Sequence, residues 1–90
     1  MQTYQMSDTK TYTADGFDDA IIGLDTQGEV PRVVYSIELM IENLCNKHGW
    51  EIDEAIEFLD FNVFGAYLGK GTPLYIHTMT AEEVRDYVFD

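Results

Sequence analysis

Apolar residues recur at steps of three and four through residues 51–69, at Ile52, Ala55, Ile56, Leu59, Val63 and Tyr67. That spacing stacks side chains on one face of a helix. Asp53, Glu57 and Asp60 fall on a second face at the same steps. From Phe58 onward, Phe61, Phe64 and Leu68 fill the flanks, so the second half is expected to be buried nearly all round. The helix is expected to begin between Glu51 and Asp53 and to end at Gly69. Upstream, Ile37, Met40, Ile41, Leu44, Cys45 and His48 follow the same period, which predicts a helix over 36–48. Ser36 is a good N-cap, Glu38 suits the first turn, and Lys47 and His48 suit the last. Gly49 stands where a left-handed cap residue belongs, and Trp50 can fold back onto the final turn.

The remaining pattern is strand-like. Residues 19–25, with Ile21, Ile22 and Leu24, and residues 31–35, with Val33, Val34 and Tyr35, flank a turn at Thr26-Gln27-Gly28-Glu29 and read as a β-hairpin. Pro73 to Met79 reads as a third strand, with Leu74, Ile76 and Thr78 on one face and Tyr75, His77 and Met79 on the other. Thr80-Ala81-Glu82-Glu83 is a capping box opening a short last helix whose Val84, Tyr87 and Val88 should point inward. Thr11-Tyr12-Thr13 could add a short edge strand, with the first nine residues frayed. The order β-β-α-α-β-α predicts an α+β two-layer sandwich, with helices 36–48 and 52–68 packed on one face of the sheet.

Ninety residues make one domain near the lower limit for a self-sufficient core. The chain is 46 % hydrophobic and 13 % aromatic, a composition that folds. Seventeen acids against five bases give a formal net charge of −12. Nucleic acid and anionic membrane surfaces are therefore poor partners, and a protein with a basic surface is a better one. A lone cysteine, Cys45, permits no internal disulfide and fits a cytoplasmic setting. No signal peptide or membrane span is legible.

No motif commits the chain to a reaction. Asp53, Glu57 and Asp60 have no histidine at the spacing a helical carboxylate metal site uses, so they read as a solvated acidic face. Cys45 and His48 have ligand-like spacing, but a zinc site needs about four ligands and only His77 remains. Gly69-Lys70-Gly71-Thr72 lacks the Walker spacing and lies between a helix and a strand, in the wrong order for a phosphate loop. Asn62 and Gly65 stand out because they interrupt the most apolar stretch, where a buried amide must be hydrogen-bonded. A pocket near Asn62, Tyr67, Lys70 and Thr72 is one expectation from these residues. No catalytic residue, metal or cofactor is expected.

Residues 16–23 (Gly-Phe-Asp-Asp-Ala-Ile-Ile-Gly), 33–35 (Val-Val-Tyr), 40–42 (Met-Ile-Glu), 54–67 (Glu-Ala-Ile-Glu-Phe-Leu-Asp-Phe-Asn-Val-Phe-Gly-Ala-Tyr) and 71–73 (Gly-Thr-Pro) carry a resemblance. In these the chain resembles a group of small proteins encoded by tailed phages and prophages. The resemblance covers residues 16–75 and implies expression in the cytoplasm of an infected bacterium; no activity and no catalytic residues come with it. The leading expectation is a non-enzymatic phage accessory protein that binds a host or phage protein, with inhibition of a host function as one role such binding would serve. Its contact residues would be Asp53, Glu57, Asp60, Glu82, Glu83 and Asp86. The alternatives are a small-molecule or nucleotide binder and, third, a DNA mimic. The apolar flanks of residues 58–68 add an expectation of homo-oligomerisation.

Overall fold

The computed structural model describes residues 9–89. The fraying expected at the start of the chain lies, apart from Thr9, outside the described residues. Strands β1 (Ile21–Asp25) and β2 (Arg32–Ser36) are followed by helices α1 (Ile37–His48) and α2 (Ile52–Leu59). A π-helical turn (Asp60–Phe64), a short strand β3 (Leu74–Ile76) and helix α3 (Ala81–Phe89) complete the chain. The sheet order is β1-β2-β3, with β1 antiparallel and β3 parallel to the central strand. The helices α1 and α2 lie on the path from β2 to its parallel neighbour, a connection that a parallel pair requires. The fold is the α+β arrangement that the pattern predicts.

Residues 18–20 form a 3-10 turn, so the first strand begins at Ile21 instead of residue 19. Ile21 pairs with Tyr35 and Gly23 with Val34, which leaves Ile22 as a bulge. Strand β2 runs directly into α1, and Ser36 is both its last residue and the helix cap. The Ser36 hydroxyl accepts a hydrogen bond from the Leu39 backbone N–H at 3.2 Å. At the other end Gly49 adopts φ 71°, and its N–H donates to the Cys45 carbonyl at 2.8 Å. The Trp50 ring returns to stack on His48 at 4.4 Å, which turns His48 to the indole.

The core gathers Phe17 and Ala20, Tyr35 of β2, Met40 and Leu44 of α1, and Ala55 and Leu59 of α2. Tyr35 is fully buried, and its hydroxyl accepts a 2.7 Å hydrogen bond from the Ala14 N–H, which satisfies the one polar group its burial brings in. Its ring lies 5.7 Å from Tyr75, which in turn lies 4.9 Å from Phe64. The edge strand expected at residues 11–13 does not form. The segment is held by the Tyr12 N–H on the Gly71 carbonyl (3.0 Å) and the Thr11 hydroxyl on the Pro31 carbonyl (2.8 Å).

Further expectations need correction. Regular α-helix stops at Leu59, the wider turn of 60–64 follows, and the helix is capped at Gly65, short of Gly69. The second half of the segment is not buried all round: Phe61 is 81 % exposed and Tyr67 76 %. Tyr67 lies past the end of the helix in an irregular segment, so the 3.6-residue stripe that placed it inward no longer applies. On α2 itself Ala55 and Leu59 face the core, while Ile52 and Ile56 lie at the edge of that face and are exposed. The third strand is confined to 74–76, because His77 and Thr78 hydrogen-bond to a side chain of α1. Val84, Tyr87 and Val88 do not point inward, since no residue of α3 is buried.

Candidate docking surfaces

Thr80 and Glu83 form the capping box of α3: the Glu83 N–H donates to the Thr80 hydroxyl (3.1 Å), and the Thr80 N–H donates to the Glu83 carboxylate (2.8 Å). At 100° per residue, Ala81, Val84, Tyr87 and Val88 occupy one side of this helix. Glu82, Glu83 and Asp86 occupy the opposite side. Tyr87 is 82 % exposed and Val88 61 %. A nine-residue helix is marginal alone in water. Here it presents an apolar stripe that the described residues do not cover.

The segment leading into α3 is fixed to the start of α1 through Glu38. One carboxylate oxygen of Glu38 accepts from both the backbone N–H and the hydroxyl of Thr78, each at 2.9 Å. The other lies 2.8 Å from Nδ1 of His77. The Thr78 hydroxyl is also 3.3 Å from that of Ser36, which is fully buried. Partial desolvation pushes the Glu38 carboxyl up, but the hydrogen bonds from Thr78, from His77 and from its own backbone outweigh it and hold the pKa at about 2. Glu38 therefore keeps its charge across the ordinary pH range. Sequence reading noted Glu38 only as a favourable first-turn anion and missed this cluster, whose partners lie far apart in the chain.

Two cavities of about 330 Å³ divide the expected pocket residues. Tyr67, Lys70 and Thr72 line one of them, together with Val30 and Arg32. Asn62 lines the other, among Phe17, Phe58, Val63 and Tyr75. Asn62 itself is exposed, not buried, and its amide donates to the Phe58 carbonyl one turn back at 3.0 Å. It ties no strand or loop. Around the first cavity the cations are engaged: Lys70 forms an ion pair with Glu29, and Arg32 Nε donates to the Thr72 carbonyl at 2.8 Å. The Lys70 ammonium holds the Glu29 carboxyl below its usual range, first by hydrogen bonding and then by charge.

Asp53, Glu57 and Asp60 are all exposed, as are Glu82, Glu83 and Asp86. Among the described residues, no three His, Cys, Asp or Glu side chains converge closely enough to hold a metal ion. No helix among them is long and apolar enough to cross a membrane. Comparison with family models, curated proteins and solved structures finds no match for this chain.

Proposed function

We propose that the chain is a non-enzymatic accessory protein, of the kind small phage proteins supply in an infected cell, that acts by binding another protein. The observation that carries this reading is α3, whose Val84, Tyr87 and Val88 form an exposed apolar row with three acids on the helix's other side. An amphipathic helix recognises its target by laying anchors at i, i+3 and i+4 into an apolar groove. Basic groups at the rim of that groove would meet Glu82, Glu83 and Asp86, and would meet Asp53, Glu57 and Asp60 on α2 as the partner approaches. Such opposed charge speeds encounter, while the apolar anchors supply the lifetime of the complex.

The test is co-purification from a bacterial lysate with the wild-type chain and with Tyr87→Asp/Val88→Asp, both checked for fold by circular dichroism. A discrete protein species retained by the wild type, lost with the α3 variant and weakened by salt is the expected result. Equal retention by both would refute the reading. The exposed Phe61, Tyr67 and Leu68 support self-association as well. Sedimentation showing only monomer at micromolar concentration would remove that part.

A small-molecule or nucleotide binder is the second reading, favoured by the cavity at Tyr67, Lys70 and Thr72. The engagement of Lys70 with Glu29 and of Arg32 with Thr72 weakens it for a phosphate-bearing ligand. Native mass spectrometry showing a retained adduct would favour it. A DNA mimic ranks third, because the acids alternate with exposed apolar side chains.

A further inference from the structure

A second uncovered surface lies away from the apolar row of α3, between α1 and α2. Glu38, Ile41, Glu42 and Cys45 follow one another at i, i+3, i+4 and i+7 along α1, and Ile52 of α2 forms the opposite wall. Together they bound an open trough of about 400 Å³ whose lining is almost wholly apolar. Ile52 is 61 % exposed, and Ile56, one turn further along α2, is exposed too. Ile41 and Cys45 form an apolar row, and Glu38 and Glu42 form a row of like charge beside it. Like charges at i, i+4 cost a few tenths of a kcal/mol; Glu38 is met by Thr78 and His77, whereas Glu42 has no ion pair with a lysine or arginine among the described residues. Lys47, the nearest base in sequence, lies on the opposite side of α1, toward Gly16. Glu38 stays ionised through its bonds to Thr78 and His77.

We propose that this trough is a docking site for a cationic amphipathic helix of a partner protein, with aliphatic side chains on Ile41, Cys45 and Ile52 and Lys or Arg side chains along Glu38 and Glu42. The choice of occupant follows from charge. An apolar trough with one acidic rail matches a helix whose apolar stripe is bordered by bases, and it repels the acidic α3 of a second copy. The site uses different residues from the one assigned to α3.

The probe is a synthetic Leu/Lys amphipathic helical peptide carrying a fluorophore, titrated with the full chain and read by anisotropy. Two control peptides accompany it: a Leu/Glu counterpart, and a Lys peptide of equal charge spaced by Gly and Ser. The Leu/Lys peptide should bind and both controls should bind much more weakly. Ile52→Asp adds negative charge but removes one apolar wall, and should weaken binding about tenfold or more. Glu42→Lys should weaken it as well, and Tyr87→Asp should leave it unchanged, which separates this site from α3. Binding to Ile52→Asp as tight as to the wild type would show that net charge alone attracts the peptide, and would overturn the proposal. Equal binding of the Leu/Glu peptide would overturn it from the other side. A dimer in sedimentation that dissociates only with Ile52→Asp would show a second copy in the trough, which also overturns it.

Discussion

Gly71→Ala tests how the start of the described chain is held to the body. A Cβ built at Gly71 would lie 1.8 Å from the Lys10 carbonyl oxygen, 2.8 Å from its carbon and 2.9 Å from the Thr11 Cα. All three are backbone atoms, so no side chain can swing aside. Either residues 10–12 retreat or the 69–73 loop does. Retreat breaks the Tyr12–Gly71 hydrogen bond and strains the Thr11–Pro31 and Ala14–Tyr35 bonds, the last of which satisfies a buried phenol. Overpacking costs about 1–3 kcal/mol and a lost hydrogen bond about 1 kcal/mol, so a loss of about 2–4 kcal/mol is expected. For a domain of this size each kcal/mol moves Tm by about 4–8 °C, which predicts a fall of about 8–32 °C. Urea unfolding followed by circular dichroism gives the free energy directly. Gly28→Ala is the control, since nothing lies within 4 Å of its Cβ position and its φ is not positive. It should be neutral or stabilise by about 0.4–1 kcal/mol. If Gly71→Ala unfolds within about 0.5 kcal/mol of the wild type, the close approach of the two backbones is not what holds this segment.

Leu59→Ala should cost about 2–5 kcal/mol because the side chain is fully buried, whereas Phe61→Ala should stay within about 0.5 kcal/mol; paired denaturation curves compare them. Gly49→Ala should destabilise by about 1 kcal/mol, since φ 71° strains any Cβ, and Asn at the same position should recover part of the loss. The folded-state pKa of Glu38, about 2, lies below its ordinary value near 4.5. Its contribution to stability is therefore complete above that ordinary value and disappears as pH falls toward 2. Glu38→Gln should flatten that part of the acid limb in a series of denaturation curves between pH 2 and about 6, and an unchanged limb would show that the cluster adds nothing.

The elements that sequence reading placed well are those whose signals are local. Helix α1 carries its own start at Ser36 and its own stop at Gly49, so both ends could be read without tertiary information. Where a segment's fate depends on distant residues, periodicity was insufficient. The stripe of α3 was legible as amphipathic, but amphipathy does not say whether the same chain covers it. Phe17 stands among acids with no period around it, yet it is core. Gly71 reads only as part of the stretch between helix and strand, because its tight neighbour, Lys10, is remote in sequence. The helix widens into a π turn at Asp60 and ends at Gly65, which a 3.6-residue template run on to Gly69 could not anticipate. Tyr67, Lys70 and Thr72 do share a cavity, since a turn keeps near neighbours together. Glu38, His77 and Thr78 meet only because β3 pairs with β2, and no spacing rule reports that pairing.

Glu38 stands at a junction. Its side chain borders the trough between α1 and α2, and its carboxylate anchors the residues from which α3 springs. Those two duties meet in one side chain, whose oxygens are held by Thr78 and His77. A cation that entered the trough and competed for them would loosen Thr78 and widen the range of directions α3 can take. Thermodynamic linkage makes the effect reciprocal: a partner that fixed α3 with Thr78 withdrawn would leave the carboxylate free and strengthen the trough for a cation by the same factor. Glu38→Gln, which keeps the shape of the side chain and removes its charge, would uncouple the two ends. The two surfaces would then bind with affinities independent of one another.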